Sequence, residues 1–176
     1  VYLEDPEGNG LEIYADRPAS DWEWKDGVVT MGTHTLDIDA ILDLTTTERD
    51  TYTGAPEGLR IGHIHLRVGD IAAGRRFYGQ ALGLDSTRGE RRDAAFLSSG
   101  GYHHHVALNT WNSAGAGARD PRTTGPDWFS LKARGGATVD AQAARLRGDG
   151  WTVAAIADGV EATDPWGTRV RLLTGA

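Results

Sequence analysis

Glu12 and five histidines, His63, His65, His103, His104 and His105, are the side chains of this sequence best suited to chemistry. A carboxylate and neutral imidazoles together can hold a divalent cation, and imidazole also takes up and returns a proton near neutral pH. The chain has no cysteine and one methionine, Met31, so a bound metal has to be held by His, Asp or Glu. Each candidate also has a plainer reading. Glu12 alone is an exposed strand carboxylate, His63 alone a hydrogen-bonded core histidine, and His34 a structural or exposed residue.

An internal repeat singles out Glu12. The stretch VYLEDPEGNGLE at the start returns as VEATDPWGTRVR from Val160, at a constant offset of 159 residues. Asp5-Pro6 meets Asp164-Pro165, Gly8 meets Gly167 and Leu11 meets Val170. Tyr2, however, is replaced by Glu161, and Glu12 by Arg171, a cation that cannot ligate a metal. A strand–turn–strand unit therefore occurs twice, with a ligand-capable residue in one copy.

The elements that must position these residues follow from periodicity. Residues 1–14 predict a β-hairpin: Asp5, Pro6, Gly8, Asn9 and Gly10 are turn formers, and Leu11 and Ile13 alternate with Glu12 and Tyr14. A connector over 16–58 includes a strand candidate near Val28–Thr35, a short helix near Ile38–Leu44 and a boundary at TGAPEG, 53–58. In 61–68 Ile61, His63, His65 and Arg67 share one face, opposite Ile64, Leu66 and Val68. Asp70 is placed to cap the helix DIAAGRRFYGQAL, which ends at Gly83.

Three strands are expected next, Leu84 to Thr87, Ala94 to Ser98 and His103 to Trp111, which completes a βαβββ module over 59–112. A strand at Trp128–Ala133, a helix from Asp140 and strands at 152–156, 160–163 and 169–173 repeat that order over 126–174. The fold class is α+β, built of repeated βαβββ modules whose curved mixed sheets surround a cleft, with residues 1–15 as the last hairpin of a preceding module. Strand alternation opposes His104 to His103 and His105, so at most two of the three should converge.

Composition narrows the partners. With 39% hydrophobic and 24% charged residues this is an ordinary globular chain, and a net charge of −7 does not suit nucleic acid or an anionic membrane. The dense cluster RGERR at 88–92 is best read as a solvated loop. No apolar run approaches a membrane span and no signal peptide is evident, so a cytoplasmic location is the default. The chain opens inside a strand pattern without an initiator Met, and a preceding segment is expected.

Four segments carry a family resemblance: YLEDPEGNGLEIYADRP (2–18), GHIHLRVGDI (62–71), FYGQALGLD (77–85) and GGYHHHVALNTW (100–111). In these the chain resembles the vicinal oxygen chelate superfamily of glyoxalases, bleomycin-resistance proteins and extradiol dioxygenases, most closely its catechol 2,3-dioxygenase-like branch. FYGQALGLD is general to the superfamily; the Tyr2-to-Glu12 spacing and the HHHVALNTW string are more specific.

That resemblance implies a ring-cleaving dioxygenase acting on a small aromatic diol with O2, as in aromatic catabolism. It implies Fe(II), with Mn(II) as the alternative, on a face of two histidines and one carboxylate. His63 and Glu12 match two of the ligand positions, and the other His would lie in a segment before this chain. Tyr2 matches the tyrosine that hydrogen-bonds the substrate oxygen. His104 matches the acid–base histidine, with His105 as its substitute, and His65, His105 and Trp111 fall where they would line the substrate pocket.

The preceding module that ends in residues 1–15 and the module over 59–112 should then form the cleft, leaving the module over 126–174, with Glu161 and Arg171, to pair elsewhere. A homo-oligomer, or association with the preceding segment, is expected. The alternatives on this scaffold are a glyoxalase-type isomerase or thiol transferase, and a metal-free binding protein of the bleomycin-resistance kind.

Overall fold

The two copies of the repeated turn fold in the same way, bond for bond. In a computed structural model, which describes residues 1–43 and 54–175, Asp5 Oδ1 accepts from the backbone N–H groups of Glu7 (2.9 Å) and Asn9 (2.8 Å). Asp164 Oδ1 accepts from those of Trp166 (2.9 Å) and Thr168 (2.8 Å), the same positions 159 residues later. The backbone closes both turns alike, Asp5 N–H to Asn9 and Asp164 N–H to Thr168, each at 2.9 Å. Gly8 and Gly167 lie in the left-handed region at φ +79° and +93°, which a Cβ would strain.

The chain divides into two units, Val1–Ile61 and Gly62–Ala176. In the first, β1 (Tyr2–Glu4) and β2 (Gly10–Glu12) pair antiparallel with Tyr2 opposite Glu12. The strand candidate near Val28–Thr35 is shorter than its composition suggests. Strand β3 (Trp24–Lys25) pairs with β4 (Val28–Val29) across Asp26 and Gly27, whose φ values of 51° and 76° fit a tight two-residue hairpin. Helix α1 (Ile38–Leu42) is capped by Asp37, which accepts from the N–H of Ala40 at 3.0 Å. Leu44 and Thr53, which the sequence places in the short helix and at the start of TGAPEG, lie outside the described residues.

The second unit holds two sheets of the same design. Strands β5 (Ile64–Arg67), β6 (Asp85–Ser86), β7 (Ala94–Ser98) and β8 (Val106–Asn109) stand in the order β5-β8-β7-β6. Strands β9 (Trp128–Ala133), β10 (Val153–Ile156), β11 (Gly159–Thr163) and β12 (Arg169–Thr174) stand in the order β10-β11-β12-β9. In each sheet the first strand runs parallel to the last, as it must when a helix crosses over between the first and second strands. The result is the α+β architecture of two βαβββ repeats.

Both helices depart from the periodicity reading. Asp70 caps α2 (Ile71–Gly74) by accepting from the Ala73 N–H at 2.6 Å, and the helix then widens into a π-helical stretch over Arg75–Ala81. There Leu82 N–H reaches the Phe77 carbonyl, five residues back, at 2.8 Å. Helix α3 (Gly136–Gly148) starts four residues before Asp140, after a left-handed Gly135, and buries Val139, Ala143 and Leu146.

Phe77 and Tyr78 are fully buried in a core that draws on both sheets and both helices. The Tyr78 hydroxyl donates to Asp164 Oδ2 at 2.8 Å and so ties the first module's helix to the second module's repeated turn. Among the described residues no helix is long and apolar enough to cross a membrane.

Candidate metal and acid–base site

The histidines meet because of a glycine turn and a parallel strand register. After β7 the chain reverses through Gly100 and Gly101, both left-handed at φ +67° and +76°. His103, His104 and His105 leave that turn before β8 begins at Val106. Ile64 N–H donates to the His105 carbonyl at 3.0 Å, and Ile64 pairs with Val106, so His63 is brought beside the triplet. The expected strand from His103 to Trp111 is thus corrected to Val106–Asn109. Two of the triplet, His103 and His104, converge with His63, and alternation does not set them on opposite faces because both precede the strand.

Their rings form one cluster. The His104 ring centroid lies 4.3 Å from His63, 4.6 Å from His103 and 5.2 Å from His65. His63, His103 and His104 each offer a nitrogen, all within 4.8 Å of one another. His65 Nε2 and His104 Nε2 are 3.1 Å apart, a hydrogen bond whose donor depends on the tautomers. His65 lies opposite Ala107, which lies opposite Phe96, and the small alanine leaves room for Phe96 to meet both His65 and His104 edge-on.

His104 is 6% exposed, and its Nδ1 is buried with no hydrogen-bond partner. Burial first, and then the imidazoles of His63, His103, His65 and His105, hold its pKa down to about 2, so the ring is neutral at physiological pH. His105 is also lowered, by burial and then by His63, and its Nδ1 lies 2.8 Å from Ser98 Oγ.

In the first unit Tyr2 and Glu12 face each other across the hairpin. Burial first, then a hydrogen bond to Glu12 and the charge of that carboxylate, raise the Tyr2 phenol, which therefore stays protonated. The same register in the second copy sets Glu161 against Arg171, which form an ion pair at 2.7 Å. Arg171 also lies over the Trp128 ring at 4.0 Å, so a charge network occupies the positions of Tyr2 and Glu12.

Trp111 is placed apart from the other pocket candidates. It follows the far end of β8, roughly 20 Å along an extended strand from His105. Its indole N–H donates to Asp93 Oδ2 at 3.0 Å. His103 is the residue that sequence reasoning did not assign, and the HHH string was the signal available for it. As a donor set, imidazoles around a buried unpartnered nitrogen fit a borderline divalent cation, the class that includes Fe(II), Mn(II) and Zn(II).

Residues 60–172 match the model of the Glyoxalase/Bleomycin resistance protein/Dioxygenase superfamily, and the chain belongs to that superfamily. A curated relative, the Catechol-2,3-dioxygenase of Bacillus subtilis (strain 168), is 35% identical over 167 residues, covering 94% of this chain and 58% of the relative. The chain therefore spans less than two thirds of that protein's length. A glyoxalase/dioxygenase from Nostoc punctiforme shares the fold at a TM-score of 0.53 and 19% identity, covering 72% of this chain and 100% of that one. A lactoylglutathione lyase from Agrobacterium tumefaciens does so at 0.50 and 19%, covering 69% and 96%.

Proposed function

We propose that this chain is part of an extradiol dioxygenase that opens a catechol-type ring with O2, outside the two hydroxyl groups, with both oxygen atoms entering the product. The observation that carries the reading is a buried His104 in ring contact with His63. That pairing sets a proton acceptor beside a metal-ligand position. The substrate class comes from the Catechol-2,3-dioxygenase relative.

His63 and Glu12 are the ligands this chain supplies. Iron(II), when bound, brings diol and O2 together and conducts electrons between them. His104 takes the diol proton and later returns it, with His65 orienting the ring through the Nε2–Nε2 hydrogen bond. Tyr2, kept protonated beside Glu12, donates a hydrogen bond to the substrate oxygen as charge gathers there. His65 and His105 line the substrate side, and His105 replaces His104 as the base if His104 proves dispensable. A cytoplasmic setting and an assembly with further modules complete the proposal.

Arg171 speaks against a glyoxalase-type site with an added carboxylate from the last module, because that position is occupied by an ion-paired cation. The test is anaerobic loading with Fe(II), then addition of catechol and air. Oxygen uptake with a yellow ring-fission product is expected. Nickel- or zinc-dependent isomerisation without oxygen uptake would replace the reading with the glyoxalase type. Tight binding of an aromatic ligand without metal or turnover would replace it with a binding protein.

A further inference from the structure

We propose that the Gly62–Ala176 unit carries a second mode of cation binding, a three-imidazole site formed by His63, His103 and His104 that takes a borderline divalent cation such as Zn(II) or Co(II). It shares His63 with the reading above but needs neither Glu12 nor any residue outside this unit. It also removes His104 from proton transfer, so the two modes exclude each other.

Three observations carry it. The first is proximity: the three nitrogens lie within 4.8 Å of one another, and a triangle of that side has its centre about 2.8 Å from each corner. Zinc–imidazole bonds are about 2.0–2.1 Å, so ring rotations that draw each nitrogen in by roughly 0.7 Å complete the geometry. The second is the state of His104. Its Nε2 is engaged by His65, while its Nδ1 is buried at a residue 6% exposed and has no hydrogen-bond partner. A metal-ligating histidine has this form, one nitrogen held by an outer hydrogen bond and the other left for the ion.

The third is the backbone. The His103 carbonyl accepts from Thr87 Oγ1, and His105 N–H donates to the Leu97 carbonyl at 2.9 Å. Residues 103 and 104 are thereby pinned on both sides, and the cluster is built into the fold.

Three imidazole nitrogens without a carboxylate favour Zn(II), Co(II), Ni(II) or Cu(II) over Mg(II) or Ca(II), which seek oxygen. The coordination positions left open admit an anionic oxygen ligand, the catecholate included. Zn(II) at this site is therefore an inhibitor of the oxygenase reaction.

The test uses the full chain, stripped of metal and titrated with Zn(II) by calorimetry and with Co(II) by visible absorption. One cation per chain is expected, with nitrogen-donor bands for Co(II). His103→Gln and His104→Gln should each weaken binding at least about tenfold. Glu12→Gln should leave it within about twofold.

In the unaltered chain, Co(II) should shift and broaden the ring resonances of His63, His103 and His104. That measurement stands even if a variant fails to fold. Binding lost in Glu12→Gln and retained in His103→Gln would overturn the three-imidazole mode and leave the carboxylate-bearing one. Saturable binding in neither titration overturns it too. Iron-dependent oxygen uptake that fails while Co(II) still binds through His103 sinks the oxygenase reading and leaves this one standing.

Discussion

His104 and Tyr78 are two buried polar rings in opposite situations. His104 keeps an unpartnered nitrogen inside a ring cluster, which is costly for stability and useful for chemistry. Under the proposed ring cleavage, replacing it by Gln should lower kcat by about 10²–10⁴, the usual worth of a positioned acid–base group. KM for catechol should change much less, and steady-state oxygen uptake checks both; an unchanged kcat would pass the role to His105.

Tyr78 is fully satisfied, its hydroxyl donating to Asp164 Oδ2 at 2.8 Å. Tyr78→Phe leaves that carboxyl oxygen buried with one donor fewer, at a cost of about 1–3 kcal/mol in urea unfolding at pH 7. Burial first, and then the charge and hydrogen bond of Asp164, raise the Tyr78 phenol well above its ordinary value of 10.0. The folded state thus holds this proton more tightly than the unfolded state does. The associated stability is intact below about pH 10 and is lost as pH rises from there toward the folded value. Unfolding midpoints should fall between pH 10 and 11 in the native chain, and more shallowly in Tyr78→Phe.

At the scale of elements, the hairpin repeat was legible because everything that makes it is local. An Asp two and four residues before the N–H groups it accepts from, and a Gly at the left-handed position, can be read from a single stretch of chain. The site was less legible. His63 and His104 lie 41 positions apart, and what joins them is the parallel pairing of Ile64 with Val106, which no local pattern encodes. The start of β8 also escaped, since HHHVALN reads as one continuous strand until Gly100 and Gly101 are known to reverse the chain just before it. The widening of the helix at Arg75–Ala81 left no mark on its apolar spacing.

The hairpin register makes a further prediction. Because Glu161 stands opposite Arg171, restoring a carboxylate by Arg171→Glu sets like charges face to face and forfeits the contact with Trp128. A loss of about 1–2 kcal/mol is expected by chemical denaturation. Adding Glu161→Tyr, which recreates the Tyr2 and Glu12 pair, should recover a large part of it. A double variant no more stable than Arg171→Glu alone would show that the two copies are equivalent in backbone only.

For the molecule as a whole, the histidine cluster couples cation binding to stability. An ion that binds the folded cluster and not the unfolded chain stabilises by about 2.7 kcal/mol when its free concentration is a hundred times Kd. For a chain of this size each kcal/mol raises Tm by about 2–4 °C, so saturating Zn(II) should raise the melt by roughly 5–10 °C over the chelated protein. The shift should appear in the transition of the Gly62–Ala176 unit, which contains the whole cluster, and should be followed there by a near-ultraviolet signal from Trp151 or Trp166, both packed in its core.

Metal binding displaces protons from its ligand nitrogens, so the gain should be smaller at acidic pH than at pH 7. His103→Gln should abolish most of the shift at every pH. If the melt rises equally in His103→Gln and His104→Gln, the ion is held by other residues, and the buried nitrogen of His104 is left without a role in metal binding.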